Sequence, residues 1–212
     1  MTDRAAPPSR RPLTSRNSAW AKALAVRAVA RGLSPNQISQ LSIASAVLGA
    51  ACYAVSPIGS GVLQSLMLIL AAAACQARLV CNLIDGLVAV EGGQGTKDGP
   101  FWNEAPDRLS DLLLLGGAGV AAGNPALGFL AAALAIATAY IRELGRAEGV
   151  PPDFSGPMAK PQRMAAVTIG TLIAAFTAPA LALSATLWVI IAGTAITAAL
   201  RSRRLIRALK AK

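Results

Sequence analysis

Apolar residues in this chain occur in long runs, separated by short segments that are rich in proline, glycine and charge. A helix that crosses a bilayer needs about 20 consecutive apolar residues, and the runs have roughly this length. The pattern therefore predicts an all-α polytopic membrane protein with six transmembrane helices. The predicted spans are 36–56, 62–90, 103–122, 126–146, 160–178, and a sixth that runs from 183 into the basic C-terminal segment.

The N-terminal part differs in pattern from the spans. Residues 1–17 are basic and proline-rich and are expected to be a disordered tail. In 18–33, Trp20 and other apolar residues alternate with lysine and arginine, which favours an amphipathic helix on the anionic membrane surface. Ser34 can then cap a new helix, with Pro35 in its first turn. We therefore divide the chain into 1–17 (tail), 18–33 (juxtamembrane helix), 34–205 (six-helix transmembrane domain) and 206–212 (basic tail).

Composition and charge agree with a membrane protein and suggest its orientation. Only 14% of the residues are charged, against about 25% in soluble domains. The net charge of +10 is concentrated before the first span, after the last, and around the loops after spans two and four. By the positive-inside rule both termini and both charged loops are cytoplasmic, in the inner membrane if the source is bacterial. This distribution indicates topology rather than nucleic-acid binding.

Six of the ten acidic residues lie between positions 82 and 111, at the predicted end of span two and the start of span three. A charge at the centre of a membrane helix costs roughly 2.5–3.5 kcal/mol on insertion scales, so such a cluster suggests function. The chain has no histidine, which excludes histidine-ligated zinc and histidine acid–base catalysis. Its three cysteines match no metal-binding spacing and are expected to be packing residues.

The polar residues of this region have helical spacing. Asn82 and Asp85 share one face of span two, and Asn103, Asp107 and Asp111 share a face of span three. A glycine-rich turn would join the spans as an antiparallel hairpin, with two rows of oxygen atoms facing each other. Such oxygens suit Mg²⁺, Mn²⁺ or Ca²⁺, which can grip a pyrophosphate. The alternative is that the acidic residues only mark helix ends, where they favour the helix dipole.

The same residues form a longer pattern. Its fixed positions are Asn82-x2-Asp85-Gly86-x2-Ala89-Val90-x8-Gly99-x3-Asn103-x3-Asp107. This pattern resembles the signature of the CDP-alcohol phosphotransferases, also called CDP-alcohol phosphatidyltransferases: D-x2-D-G-x2-A-R-x8-G-x3-D-x3-D. Every spacing agrees. Asn82 and Asn103 replace two aspartates, and Val90 replaces the arginine. The triplet Ser34-Pro35-Asn36 is similar to the family's usual start of span one.

The resemblance implies a metal-dependent enzyme of the EC 2.7.8 type in phospholipid synthesis. It would move a phosphoalcohol group from a CDP-activated lipid, such as CDP-diacylglycerol, to an acceptor hydroxyl and release CMP. Mg²⁺ or Mn²⁺ would be the cofactor, membrane lipids would be partners, and we expect a homodimer. The predicted metal ligands are Asn82, Asp85, Asn103, Asp107 and Asp111. Asp107 would also be the catalytic base. The predicted donor and phosphate contacts are Gly86, Ala89, Gly99, Arg78, Arg142, Lys160 and Arg163.

Several alternatives remain open from the sequence. Arg78 either pairs with Asp85 or supplies the phosphate contact that Val90 lacks. A second functional hypothesis is a catalytically impaired relative that binds nucleotide or lipid without turnover. A third, ranked last, is a small transporter, which would need charges near the middle of its spans. The acceptor (inositol phosphate, glycerol phosphate, serine or a second lipid) and the number of metal ions are not fixed by the sequence.

Overall fold

The computed structural model describes residues 18–91, 93 and 96–212, with Val90 and Glu91 described by backbone alone. These residues form only helices and connecting turns. The predicted disordered tail, 1–17, lies outside the described residues. The helices are α1 (Ala19–Ala30), α2 (Pro35–Val55), α3 (Val62–Glu91), α4 (Gly99–Ala121), α5 (Pro125–Ala147), α6 (Lys160–Phe176) and α7 (Pro179–Lys210).

Proline and short polar side chains set the helix starts. The Ser34 hydroxyl accepts a hydrogen bond from the Gln37 backbone N–H at 3.3 Å, and the Gln37 side chain accepts one from the Ser34 backbone N–H at 2.9 Å. This capping box confirms the predicted start of α2. At the start of α5, the Asn124 side chain accepts from the Leu127 N–H at 3.1 Å. Proline occupies the first turn of α2, α4, α5, α6 and α7, where its missing N–H is not needed.

Three predicted boundaries require correction. Helix α7 begins at Pro179 rather than near 183. Helix α4 begins at Gly99 rather than near 103, so Gly99, Asn103 and Asp107 lie on one continuous helix. Helix α7 continues to Lys210, so the segment 206–212, expected to be a tail, is mostly helical. Its apolar residues explain this, because Leu205 and Leu209 repeat at the spacing of one helix face.

Four helices are long and apolar enough to cross a membrane, judged by length and composition: α2, α3 up to Ala89, α5 and α7. Helix α6 has only 17 residues. Helix α4 contains Glu104, Asp107, Arg108 and Asp111, and these charges make it too polar to qualify. The six-span count therefore stays a prediction for these two helices.

The helices form a closed bundle in the packing order α2, α3, α6, α7, α5, α4 and back to α2. Small residues allow close approach: a Cβ on Gly128 of α5 would lie 2.5 Å from the Leu115 carbonyl oxygen of α4. Helix α1 packs on α3 through Ala21, Ala25 and Ala28. A helix thus lies within the predicted segment 18–33, and its Trp20 and Val26 side chains are exposed. Its place on a membrane surface stays a prediction.

The expected hairpin of α3 and α4 is wrong as a packed pair. These two helices make few direct contacts, because α2 packs against both of them. Helices that follow one another along the chain, from α2 to α7, alternate in direction, so the starts of α2, α4 and α6 lie at the same end as the C-terminal parts of α3, α5 and α7. The polar residues of α3 and α4 therefore converge at this end across a gap, with side chains from the other helices between them.

Candidate functional site

A cavity of about 620 Å³ opens at the end of the bundle where α2, α4 and α6 begin. Most of the predicted site residues line it: Asn82, Asp85, Gly86, Ala89, Gly99, Asn103, Asp107, Arg142, Lys160 and Arg163. The two others, Arg78 and Asp111, are fully buried behind the cavity wall. The fold thus brings residues that are far apart in sequence, from α3 to α6, to one chamber.

Asp107 is the most heavily paired carboxylate of the site. Its Oδ1 accepts a hydrogen bond from Arg78 Nη2 at 2.6 Å, and its Oδ2 accepts one from the Lys160 ammonium. Of the two roles considered for Arg78, a pair with Asp85 is therefore not observed, because the guanidinium bonds to Asp107 instead. With a cation on each oxygen, Asp107 is held firmly as the charged form.

Lys160 is the first residue of α6 and points its ammonium between α3 and α4. The Nζ donates to Asn82 Oδ1 at 2.7 Å as well as to Asp107 Oδ2. Two of the predicted metal ligands are therefore bridged by a cationic side chain of the protein itself. The sequence predicted Lys160 as a phosphate contact and gave no sign of this bridge.

Asp85 has a different environment. Its Oδ2 accepts a hydrogen bond from the Ser39 hydroxyl at 2.8 Å. Its Oδ1 is buried and has no hydrogen-bond partner within the described part of the chain. Buried polar atoms are normally satisfied, so this oxygen is positioned for a ligand. Ser39 was missed by sequence reasoning, although it lies one helical turn after Pro35, in the helix whose start the signature resemblance had marked.

Two further acidic residues near the chamber, Asp111 and Glu104, are each bound to arginine. Asp111 Oδ2 accepts a hydrogen bond from Arg163 Nη2 at 2.8 Å, and both side chains are buried. Glu104 accepts from Arg108 at 2.8 Å and also from Arg142.

Arg142 has two more neighbours. Its Nε donates to the neighbouring Glu143 carboxylate at 2.8 Å. Its guanidinium also lies over the Phe154 ring, 5.2 Å from the centroid. Arg142 thus lies between two acidic side chains, Glu104 and Glu143, at the chamber.

At the mouth of the cavity, α2 is linked to the residue that precedes α4. Asp98 Oδ2 accepts hydrogen bonds from Asn36 Nδ2 at 3.1 Å and from Trp102 Nε1 at 2.9 Å. Hydrogen bonds from the Thr96 side chain and then Trp102 lower the pKa of Asp98. Asn103 is exposed, and its amide donates to Glu104 Oε1 at 3.4 Å.

Arg201 of α7 is a further cavity residue that the sequence did not single out. Its Nη1 donates to the Thr138 carbonyl at 3.0 Å, and its Nε donates to the Ser155 carbonyl at 2.9 Å. It thereby ties α7 to α5 and to the loop before α6. The only sequence signal was its position at the start of the basic C-terminal segment, which had been attributed to topology.

Among the described residues, no three cysteine, aspartate or glutamate side chains come together in a metal-binding cluster. The reason is visible in the ion pairs, because basic side chains lie between the carboxylates. The oxygen donors that face the chamber are instead a mixed set of carboxylates and amides.

Comparison with solved structures identifies the architecture. A crystal structure of Mycobacterium tuberculosis phosphatidylinositol phosphate synthase (PgsA1) with manganese and citrate superposes with a TM-score of 0.74 at 21% identity, covering 87% of this chain and 88% of that chain. The fold is that of a phosphatidylinositol phosphate synthase. The same enzyme with CDP-DAG bound gives a TM-score of 0.73 at 23% identity, over 89% of this chain and 94% of that one.

The apo form of that synthase also matches, with a TM-score of 0.69 at 22% identity, over 85% of this chain and 93% of that one. No family model matches the sequence, and no curated protein matches it significantly. The likeness at this level of identity concerns the fold. The chemistry of the chamber has to be argued from its own side chains.

Proposed function

We propose that the chain is a membrane phosphotransferase of the EC 2.7.8 type that uses a CDP-activated lipid. It would transfer a phosphoalcohol group, such as phosphatidyl, to an acceptor hydroxyl and release CMP. One observation carries the proposal: seven signature positions line a single chamber together with Arg142, Lys160 and Arg163. They are Asn82, Asp85, Gly86, Ala89, Gly99, Asn103 and Asp107. The shared fold supports it, since the synthase of that fold has been crystallised with CDP-DAG.

The proposed topology follows from the bundle and the charge pattern. Six helices, α2 to α7, would cross the membrane, with α1 on the cytoplasmic surface. The chamber would open to the cytoplasm, where a water-soluble nucleotide leaves, and between helices to the lipid that carries the donor. Exposed apolar side chains such as Leu48, Ile173 and Trp188 suit contact with lipid. A homodimer remains part of the proposal.

The donor set fits a divalent cation at the inner part of the chamber. The Asp85 Oδ1 atom is buried without a partner among the described residues. Asn82 Oδ1 and Asp107 Oδ2 already bind a cation, the Lys160 ammonium. We propose that these three side chains hold Mg²⁺ or Mn²⁺, with Asn103 at the outer edge. When bound, such an ion would neutralise charge on the pyrophosphate. The Asp111 Oδ2 atom is bound to Arg163, so of this carboxylate only Oδ1, buried without a partner among the described residues, could serve as a further ligand.

The residues of the chain would act on the two reactants as follows. The acceptor hydroxyl oxygen attacks the phosphorus that bears the lipid alcohol, and the bond from this phosphorus to the bridging oxygen breaks. CMP leaves with the bridging oxygen and its electron pair. Asp107 takes the proton of the acceptor hydroxyl once Lys160 has moved off its Oδ2. Arg142 and Arg163 neutralise phosphate charge, while Gly86 and Ala89 leave space for the nucleotide.

The test is CMP release by the purified protein in vesicles that contain CDP-diacylglycerol, with a panel of acceptor alcohols and Mg²⁺ or Mn²⁺. Release should stop with a chelator and return with Mn²⁺. Asp107→Asn should reduce it about 100-fold or more, the lower part of the range for general-base catalysis. Arg146→Gln, a change at an exposed residue whose ion-pair partner among the described residues is Glu143, is the matched control. Release that persists in Asp107→Asn would exclude the proposed base.

A second candidate is a relative that binds CDP-lipid without turnover. The observation that favours it is the pairing of Asp107, the proposed base, because Arg78 and Lys160 bind its two oxygens. It predicts CDP-diacylglycerol binding, measured by quenching of tryptophan fluorescence, with no CMP formed for any acceptor. CMP formation with any alcohol of the panel would exclude it.

A further inference from the structure

The Lys160 ammonium occupies the position between two oxygen atoms that the proposed function assigns to a metal ion. It donates to Asn82 Oδ1 at 2.7 Å and to Asp107 Oδ2. The side chain is attached at the first residue of α6, and about a fifth of its surface is exposed to the chamber. The cation position is therefore filled by a group that the chain carries with it.

An ammonium and a divalent ion cannot use these two oxygens at the same time. A metal ligand oxygen lies about 2.0–2.6 Å from Mg²⁺ or Ca²⁺, and the ammonium is in hydrogen-bond contact with the same atoms. Charge adds to the exclusion, since Asn82 is neutral and Asp107 supplies one negative charge that Arg78 also shares. The lysine stem, by contrast, is flexible and can carry the ammonium away from the oxygens.

We propose that Lys160 is a tethered competitor for the metal ion, so that ammonium and metal occupy the site between Asn82 and Asp107 in turn. An anionic pyrophosphate in the chamber favours the metal-bound state, because it offers the ammonium another partner. Metal and donor then strengthen each other's binding, and by linkage the effect is reciprocal. This inference rests on the proposed function. In it, Lys160 controls whether a metal ion occupies the site.

The experiment measures Mn²⁺ affinity directly, by the paramagnetic resonance signal of free Mn²⁺ in titrations of the full chain in detergent. Lys160→Gln should bind Mn²⁺ about 10-fold more tightly than the wild type, within the usual range of coupling between sites. Lys160→Arg should stay close to the wild type. The matched control is Arg142→Gln, which removes a cation of the same chamber that contacts neither Asn82 nor Asp107 and should change the affinity less than about 3-fold.

The second measurement repeats the titrations with CDP. CDP should raise the Mn²⁺ affinity of the wild type by a larger factor than that of Lys160→Gln, because only the wild type gains from moving the ammonium. Equal Mn²⁺ affinity in wild type and Lys160→Gln, an equal gain in Arg142→Gln, or no Mn²⁺ binding in any variant would overturn the inference. If Lys160→Gln does not fold, Lys160→Met takes its place.

The two proposals fail in different ways. If wild type and Lys160→Gln bind Mn²⁺ equally well and the wild type releases CMP, Lys160 is not a competitor for the metal ion, and the proposed phosphotransferase activity is unaffected. Suppose instead that Lys160→Gln binds Mn²⁺ more tightly but the wild type releases no CMP with any acceptor. This result would support Lys160 as a competitor for the metal ion and would favour a binding protein over an enzyme.

Discussion

Arg78 of α3 and Asp107 of α4 form a salt bridge of 2.6 Å, with the arginine fully buried. It joins two helices that otherwise make few direct contacts. The guanidinium has further nitrogens, Nε and Nη1, that are buried without a partner among the described residues. A buried ion pair of this kind has a high desolvation cost, which its Coulomb energy offsets only while both partners are present.

Removing one partner of this pair should destabilise the bundle. Arg78→Met would leave the buried Asp107 carboxylate with Lys160 as its main cation, so we expect a loss near the lower end of the roughly 3–5 kcal/mol typical of broken buried pairs. Arg78→Lys should lose less, because an ammonium keeps the charge. Reversible unfolding in mixed detergent, followed by helical circular dichroism, gives the free energies of unfolding. A loss below about 1 kcal/mol, the scale of an exposed pair, would show that the pair contributes little.

The Ser39 hydroxyl should position Asp85. Ser39→Ala would remove the 2.8 Å hydrogen bond and leave both buried oxygens of Asp85 unpaired, a cost of about 1–3 kcal/mol in free energy of unfolding. The matched control is Ser45→Ala in the same helix, where the hydroxyl donates to the Leu41 carbonyl of its own helix. The same unfolding measurement separates them, and equal effects of the two substitutions would contradict the special role of Ser39.

Most helices of this fold could be predicted from the sequence, because the signals that begin and end them lie within or next to each helix. Apolar runs, first-turn prolines and the Ser34 cap determine where helices begin, and α2, α3 and α5 lie within two residues of their predicted bounds. The signature spacing also predicted which residues would share a chamber. The helix bounds rest on local signals that the sequence shows directly, whereas the shared chamber was implied by the resemblance of the signature.

The partners within the site could not be predicted, because they depend on packing across the bundle. Arg78 lies one turn before Asn82 and was considered for Asp85. In the fold it reaches Asp107 on another helix, and Lys160 of α6 reaches across to Asn82. The sequence carries no fixed spacing between α3, α4 and α6 side chains, so only the three-dimensional arrangement shows that basic groups lie between the acids.

The close contact of α4 and α5 should not tolerate a side chain. In Gly128→Ala the new Cβ would lie 2.5 Å from the Leu115 carbonyl oxygen and 2.8 Å from Gly119 Cα, both backbone atoms, so the helices would have to separate. We expect a loss of about 1–3 kcal/mol, as for overpacked cores. Gly99→Ala is the matched control, since its Cβ would meet only Thr96 Oγ1 at an ordinary 3.8 Å. Thermal unfolding of both variants in one detergent compares them, and an unchanged Gly128→Ala would show that the helices have room to move.

The loop before α6 should open in acid through Asp153. Its carboxylate accepts hydrogen bonds from the Ser155 N–H at 2.8 Å and from Arg204 Nη1 at 2.9 Å. Partial burial raises the pKa of Asp153, but the Ser155 and Arg204 contacts outweigh it, and the net pKa is lowered. Because the folded pKa lies below the unfolded value of about 3.9, these contacts stabilise the loop fully above that value. The stabilisation is lost as the pH falls through the folded pKa.

Pepsin, which works in acid, provides the measurement for this loop because Phe154 is a suitable cleavage residue. Cleavage at Phe154, normalised to a peptide substrate at each pH, should rise as the pH falls below about 3.9. Asp153→Asn cannot titrate and loses the charge that Arg204 binds, so its normalised cleavage should be higher at pH 5 and nearly independent of pH. A rise of the same size in Asp153→Asn would place the acid-sensitive group elsewhere in the loop. Arg204→Gln should give an intermediate profile, since the Ser155 hydrogen bonds remain.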